Sequence, residues 1–282
     1  MISLIKTSEF LCFGGRQLRY EHLSTATRTN MPVSVFLPPG ANAKTPVLWY
    51  LSGLTCNDQN VVTKGGFQRV AAELGLIIVC PDTSPRGAGI AGEDDDWDFG
   101  TGAGFYLDAT AEPWSKNYLM ETYITKELPT LLLPEIGSTQ APQGIFGHSM
   151  GGHGALTLAL KNPERYKSVS AFSPICAPSK VPWGQKAFAG YLATEAEWAA
   201  YDATELVASG KRCSDILIDQ GEADSFLAEQ LSPTAFAEKC AEAGLSVELR
   251  MHAGYDHSYF FIQTFMEDHL RHHAKLLGVA GL

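Results

Sequence analysis

Six short segments dominate what this chain can fold into: Val47–Leu51, Leu76–Cys80, Gly144–Phe146, Ser168–Ser173, Asp215–Asp219 and Val247–Met251. Several are apolar at successive positions rather than alternate ones, the pattern of strands buried on both faces. Helical stretches separate them at Phe67–Leu74, Tyr118–Leu133, after Gly151, from Trp183 to about Tyr201, and at Leu227–Ala243, and an amphipathic helix at Ser258–Leu277 closes the series. Strands alternating with helices give a mostly parallel sheet covered on both faces. Ahead of them, Phe10–Pro38 alternates polar and apolar residues, which predicts two or three antiparallel strands at one edge of that sheet. With no repeat, linker or low-complexity tract, the chain reads as a single α/β domain over residues 1–282.

A net charge of −10 offers no basic stripe to nucleic-acid phosphates. No apolar stretch approaches the roughly 18 residues a bilayer span needs. The segment Met1–Phe10 lacks the basic start and long apolar run of a secretory leader. Cys12, Cys56, Cys80, Cys176, Cys213 and Cys240 are scattered, with no C-x-x-C pair and no Cys/His cluster. They read as reduced thiols in a cytoplasmic protein, and nothing calls for a metal or an organic cofactor.

The chemistry gathers at Gly147-His148-Ser149-Met150-Gly151, between the apolar run at Gly144–Phe146 and a helical stretch. A G-x-S-x-G strand-to-helix turn suits a nucleophile elbow, because glycines leave room for a tightly turned serine. The competing reading is a glycine-rich turn with an N-cap serine. A nucleophile needs a base and an orienting acid, which in this topology follow it in the order acid, then histidine. His257, between the last strand and the closing helix, fits the base. His148 is expected to point away from the tight turn, and His153 sits on the elbow helix. His269, His272 and His273 fall on what reads as a polar, solvated helical face. For the acid, Asp219 is expected at the strand tip bonding backbone, while Asp224, a few residues into the loop, can reach an imidazole; Glu222 is its rival. The N–H groups of Met150 and of Leu54, in the loop Ser52–Thr55, are the expected oxyanion donors.

Five blocks in order, Ser52–Asn57, Pro81–Gly87, Gly102–Tyr106, Gly147–Gly152 and Gly254–Ser258, resemble the S-formylglutathione hydrolase family, also called esterase D. The similarity runs from near Phe13 to near Leu277. It implies an α/β-hydrolase fold, dimeric assembly and a serine thioesterase that splits S-formylglutathione into glutathione and formate in glutathione-dependent formaldehyde detoxification. The family triad maps onto Ser149, Asp224 and His257, favouring Asp224 over Glu222. A broad-range carboxylesterase of small acyl esters is the enzymatic alternative. A non-catalytic binding protein is another, against which the complete triad argues.

Glutathione carries two carboxylates and an ammonium. The acidic run Glu93–Asp98 is therefore expected to face the ammonium, and Lys64, Arg86 or Lys186 the carboxylates, with Trp97 and Trp183 as walls. The other reading of the acidic run is a solvated surface loop. Cys56, two residues after Leu54, is expected near the catalytic centre, as a packed small residue or as a thiol whose modification blocks the site.

Overall fold

Alternation and continuity in the sequence become two kinds of strand in the structure, a computed structural model that describes residues 3–279. Residues 1, 2 and 280–282, the ends of the expected domain, lie outside the described residues. The strands are β1 (Ile5–Cys12), β2 (Gly15–Leu23), β3 (Asn30–Leu37), β4 (Val47–Leu51), β5 (Ile77–Pro81), β6 (Gln143–His148), β7 (Tyr166–Phe172), β8 (Ile216–Gly221) and β9 (Val247–His252). They form one sheet in the order β1-β2-β3-β5-β4-β6-β7-β8-β9. Pairings from β1 through β3 to β5 are antiparallel, and every later pairing is parallel.

The helices are α1 (Asn60–Lys64), α2 (Gln68–Leu74), α3 (Met120–Thr122), α4 (Leu128–Glu135), α5 (Met150–Lys161), α6 (Pro182–Tyr191), α7 (Ala203–Ala208), α8 (Pro233–Glu242) and α9 (Tyr259–Leu276). The period-2 geometry of a strand sends alternate β4 side chains to opposite faces. Trp49 and Leu51 join a core built with α5, α6 and α8. Leu48 and Tyr50 join a second core under α1, α2 and α9. Two cores on two faces explain why these strands are apolar at every position. Among the described residues no helix is long and apolar enough to cross a membrane.

Three expected helices break, two of them at prolines. Pro233 denies its predecessor right-handed helical angles, so Ser232 turns left-handed at φ 53°, ending a π turn at Leu227–Leu231 before α8 begins. Pro129 has no N–H to give the Thr125 carbonyl, which Arg165 takes instead, and Tyr123–Glu127 winds as a π turn. The third segment ends at Tyr191 and resumes as a 3-10 turn over Glu195–Tyr201, started by a Thr194–Glu197 capping box.

The polar face expected for α9 also turns inward. His269 and His273 are fully buried against β7 and β8, and His272 is half-buried with its Nε2 on the Val169 carbonyl. The sheet supplies their partners: Asp219 takes Arg250 at 2.6 Å through each oxygen, His252 at 3.0 Å and His269 at 3.2 Å. Ser170 bridges His269 and His273 at 2.8 Å each, and Ser168 meets His273 at 2.6 Å. Every bond is satisfied with His269 and His273 neutral, His269 donating to Asp219 and accepting from Ser170, His273 donating to Ser170 and accepting from Ser168. Asp219 thus binds side chains rather than the backbone expected for it.

Burial lowers the proton affinity of His148, His269 and His273, and takes His153 down to about 4. Unfolded imidazoles bind protons below about pH 6.5, and these folded ones bind them only at lower pH. Stability is therefore fully present above that pH and lost as pH falls toward the folded values, by up to about 1.4 kcal/mol per pH unit per group. The urea midpoint is expected to drop by several tenths molar between pH 7 and pH 5; a flat profile across that window would show that these rings titrate normally.

Candidate active site

Ser149 stands where β6 turns into α5, at φ 58° and ψ −120°, a left-handed geometry that costs a non-glycine residue about 1–3 kcal/mol. Neighbouring backbone packs too closely for a side chain on either side. A Cβ on Gly151 would lie 1.9 Å from the Leu51 carbonyl oxygen, and one on Gly147 would lie 2.4 Å from that of Gly151. The Ser149 side chain makes no capping bond to α5, which removes the N-cap reading and leaves the hydroxyl available.

The sheet carries the remaining groups to the same edge. Parallel strands align their carboxyl ends, so the loops after β4, β6, β8 and β9 converge. His257 Nδ1 donates to Asp224 Oδ2 at 2.5 Å. Asp224 is itself held by the Phe226 N–H at 2.9 Å and the Gln220 amide at 3.2 Å. Burial pushes the Asp224 carboxyl up, but the hydrogen bond from His257 and these two donors outweigh it and keep the group below its ordinary value. It therefore stays ionised beside the imidazole. Glu222 is exposed, and Asp256 spends its carboxylate on the N–H and hydroxyl of Ser258.

Ser149 and His257 line one cleft of about 250 Å³ with Gly53, Leu54, Thr55, Cys56, Trp97, His148, Trp183, Phe226 and Tyr259. Gly53 lies against the elbow: a Cβ there would sit 3.2 Å from both Ser149 Cβ and His148 Nδ1. The Tyr106 hydroxyl donates to the Ser52 carbonyl at 2.8 Å and steadies this loop. Among the described residues the N–H groups of Leu54 and Met150 donate to no protein acceptor, so both are free for an oxyanion.

Of the pocket candidates, Cys56, Trp97 and Trp183 line this cleft, and the two tryptophans meet edge to face at 5.6 Å. Burial pushes the Cys56 thiol up, so it remains protonated and weakly nucleophilic. Arg86 and Lys186 stand outside the lining. Arg86 holds Asp82 through two bonds of 2.8 and 2.9 Å and also the Cys56 carbonyl, whereas Lys186 holds Asp96 and Asp98. Glu93 is turned inward onto the N–H groups of Ala88 and Gly89. Lys64 lines a separate groove that shares Tyr259 with the cleft.

Sequence reasoning missed three lining residues. His148 does not point away; its ring lies 4.3 Å from that of His257, and burial followed by that neighbour keeps it neutral. Phe226 and Tyr259 each follow a catalytic candidate by two residues, a spacing that could have flagged them.

A family model described as "Putative esterase" matches residues 24–272. An S-formylglutathione hydrolase of Mus musculus is 54% identical over 98% of this chain and 100% of its own length. The chain belongs to the S-formylglutathione hydrolase family. A Bos taurus member is 53% identical with the same coverage. A solved structure of an S-formylglutathione hydrolase from Agrobacterium tumefaciens superposes at a TM-score of 0.94, with 52% identity, covering 97% of this chain and 99% of that one. Membership of this family makes the chain a hydrolase with the α/β architecture of its relatives.

Proposed function

We propose that this protein hydrolyses S-formylglutathione to glutathione and formate, a step in glutathione-dependent formaldehyde detoxification, through an acyl-enzyme on Ser149. His257 removes the Ser149 proton as the hydroxyl attacks the formyl carbonyl, and Asp224 holds the imidazole in the required tautomer. The Leu54 and Met150 N–H groups receive the oxyanion. Collapse of the tetrahedral intermediate expels the thiolate, which takes its proton from His257. Water, deprotonated by the same histidine, then attacks the formyl ester and releases formate. The observation that carries this reading is the 2.5 Å His257–Asp224 contact lining one cleft with the elbow serine.

Acyl length separates the two enzymatic readings. The cleft of about 250 Å³ is lined by Trp97, Trp183 and Phe226, with Trp97 57% exposed. Family membership, rather than the size of the cleft, favours the formyl thioesterase over a broad-range carboxylesterase. Steady-state hydrolysis of formyl, acetyl, butyryl and hexanoyl thioesters of glutathione, beside aryl esters, tests it. Expected is a fall in kcat/KM of at least tenfold per step from formyl to butyryl; equal rates across the series would sink the proposal. The cytosol is the compartment we assign, since all six cysteines are unpaired thiols.

A further inference from the structure

A tripeptide leaving group needs more room than the catalytic cleft offers. Next to the cleft lies a groove of about 600 Å³, walled by Val62, Lys64, Gln68, Tyr259, Phe260 and Gln263. Tyr259 is common to both spaces. His257 protonates the departing sulfur, so the leaving group exits on the His257 side, and the residues that follow His257 are those of the groove wall.

The groove also holds the one cation of the three sequence candidates that is left without a carboxylate. Arg86 and Lys186 are neutralised by Asp82 and by Asp96 with Asp98. Arg69, beside the groove, is taken by Glu73 and Glu267. Lys64 has no carboxylate within 4.0 Å among the described residues, and its ammonium rests 5.7 Å from the centre of the Tyr259 ring, at the junction of groove and cleft. Phe260, 83% exposed, supplies apolar wall on the same side.

We propose that this groove is the leaving-group subsite and that Lys64 there binds a carboxylate of the glutathione moiety. The inference rests on the thioesterase reading above. Lys64 is a specificity residue: its contact persists from bound substrate to transition state, so its loss enters KM rather than kcat.

The test compares S-formylglutathione with S-formyl-N-acetylcysteamine, an uncharged thioester of the same acyl group, in wild type, Lys64→Gln and Lys64→Arg. In wild type the glutathione thioester is expected to have the higher kcat/KM, and that preference is expected to shrink roughly tenfold in Lys64→Gln, the size of a lost charge-assisted contact, through KM. Lys64→Arg should keep most of it. An unchanged preference in Lys64→Gln, or equal losses on both substrates, overturns the subsite. A wild type that fails to hydrolyse S-formylglutathione overturns the underlying reading instead, so the two failures are distinguishable. Lys64 is exposed, so thermal melts of the variants are expected to match wild type.

Discussion

Ser149→Ala is expected to lower kcat on formyl thioesters and aryl esters by about 10⁴–10⁶-fold, with KM little changed. In the proposed mechanism the hydroxyl is the attacking atom, and nothing in the cleft can replace it. Cys56 lines the same space, but burial keeps its thiol protonated. What survives is the contribution of the Leu54 and Met150 N–H groups and of binding, which in enzymes of this kind leaves about 10³-fold over water. Covalent labelling by a fluorophosphonate should vanish in parallel. The fold should be indifferent to the change: Ser149 makes no capping bond, and alanine at φ 58° is no more strained than serine. A variant that keeps a tenth of wild-type turnover would remove Ser149 from the mechanism.

The sheet was readable from sequence because its strands are buried on both faces. Val47–Leu51 has the same bounds in the structure, and the bounds of the other five parallel-sheet segments lie within two residues of theirs. Chain order was equally informative, since the acid and the base had to fall in loops after late strands. Other features depend on which surface a helix meets. The histidines of α9 alternate with charged residues and look solvated, yet the face they occupy meets Ser168, Ser170 and Asp219, polar side chains of strands that read as core. The substrate cations were indistinguishable in sequence for a similar reason. Whether a lysine is free depends on where the folded chain puts carboxylates, and Asp82, Asp96 and Asp98 silence two of the three candidates.

Five residues before Asp224, the proposed orienting acid, Asp219 does a different job, and removing it is expected to unfold rather than to inactivate. Asp219→Ala should cost about 3 kcal/mol, within the range for breaking a buried ion pair by deleting one partner. The carboxylate is fully buried, and burial alone would raise its pKa. Hydrogen bonds from His269 and Arg250 reverse that and hold it far below the ordinary carboxylate range. Its ionised form is thus the one the fold is built around, and alanine leaves the β9 cation Arg250 with Asp268 as its only carboxylate partner among the described residues. His269 at the same time loses its acceptor in a site with no exposure to water. Urea unfolding at pH 7 reads the loss, and a change below 1 kcal/mol would show that Arg250 and His269 find new partners. Adding Arg250→Met to Asp219→Ala should recover part of the stability, because part of the penalty lies in a half-buried cation left with a single partner, Asp268.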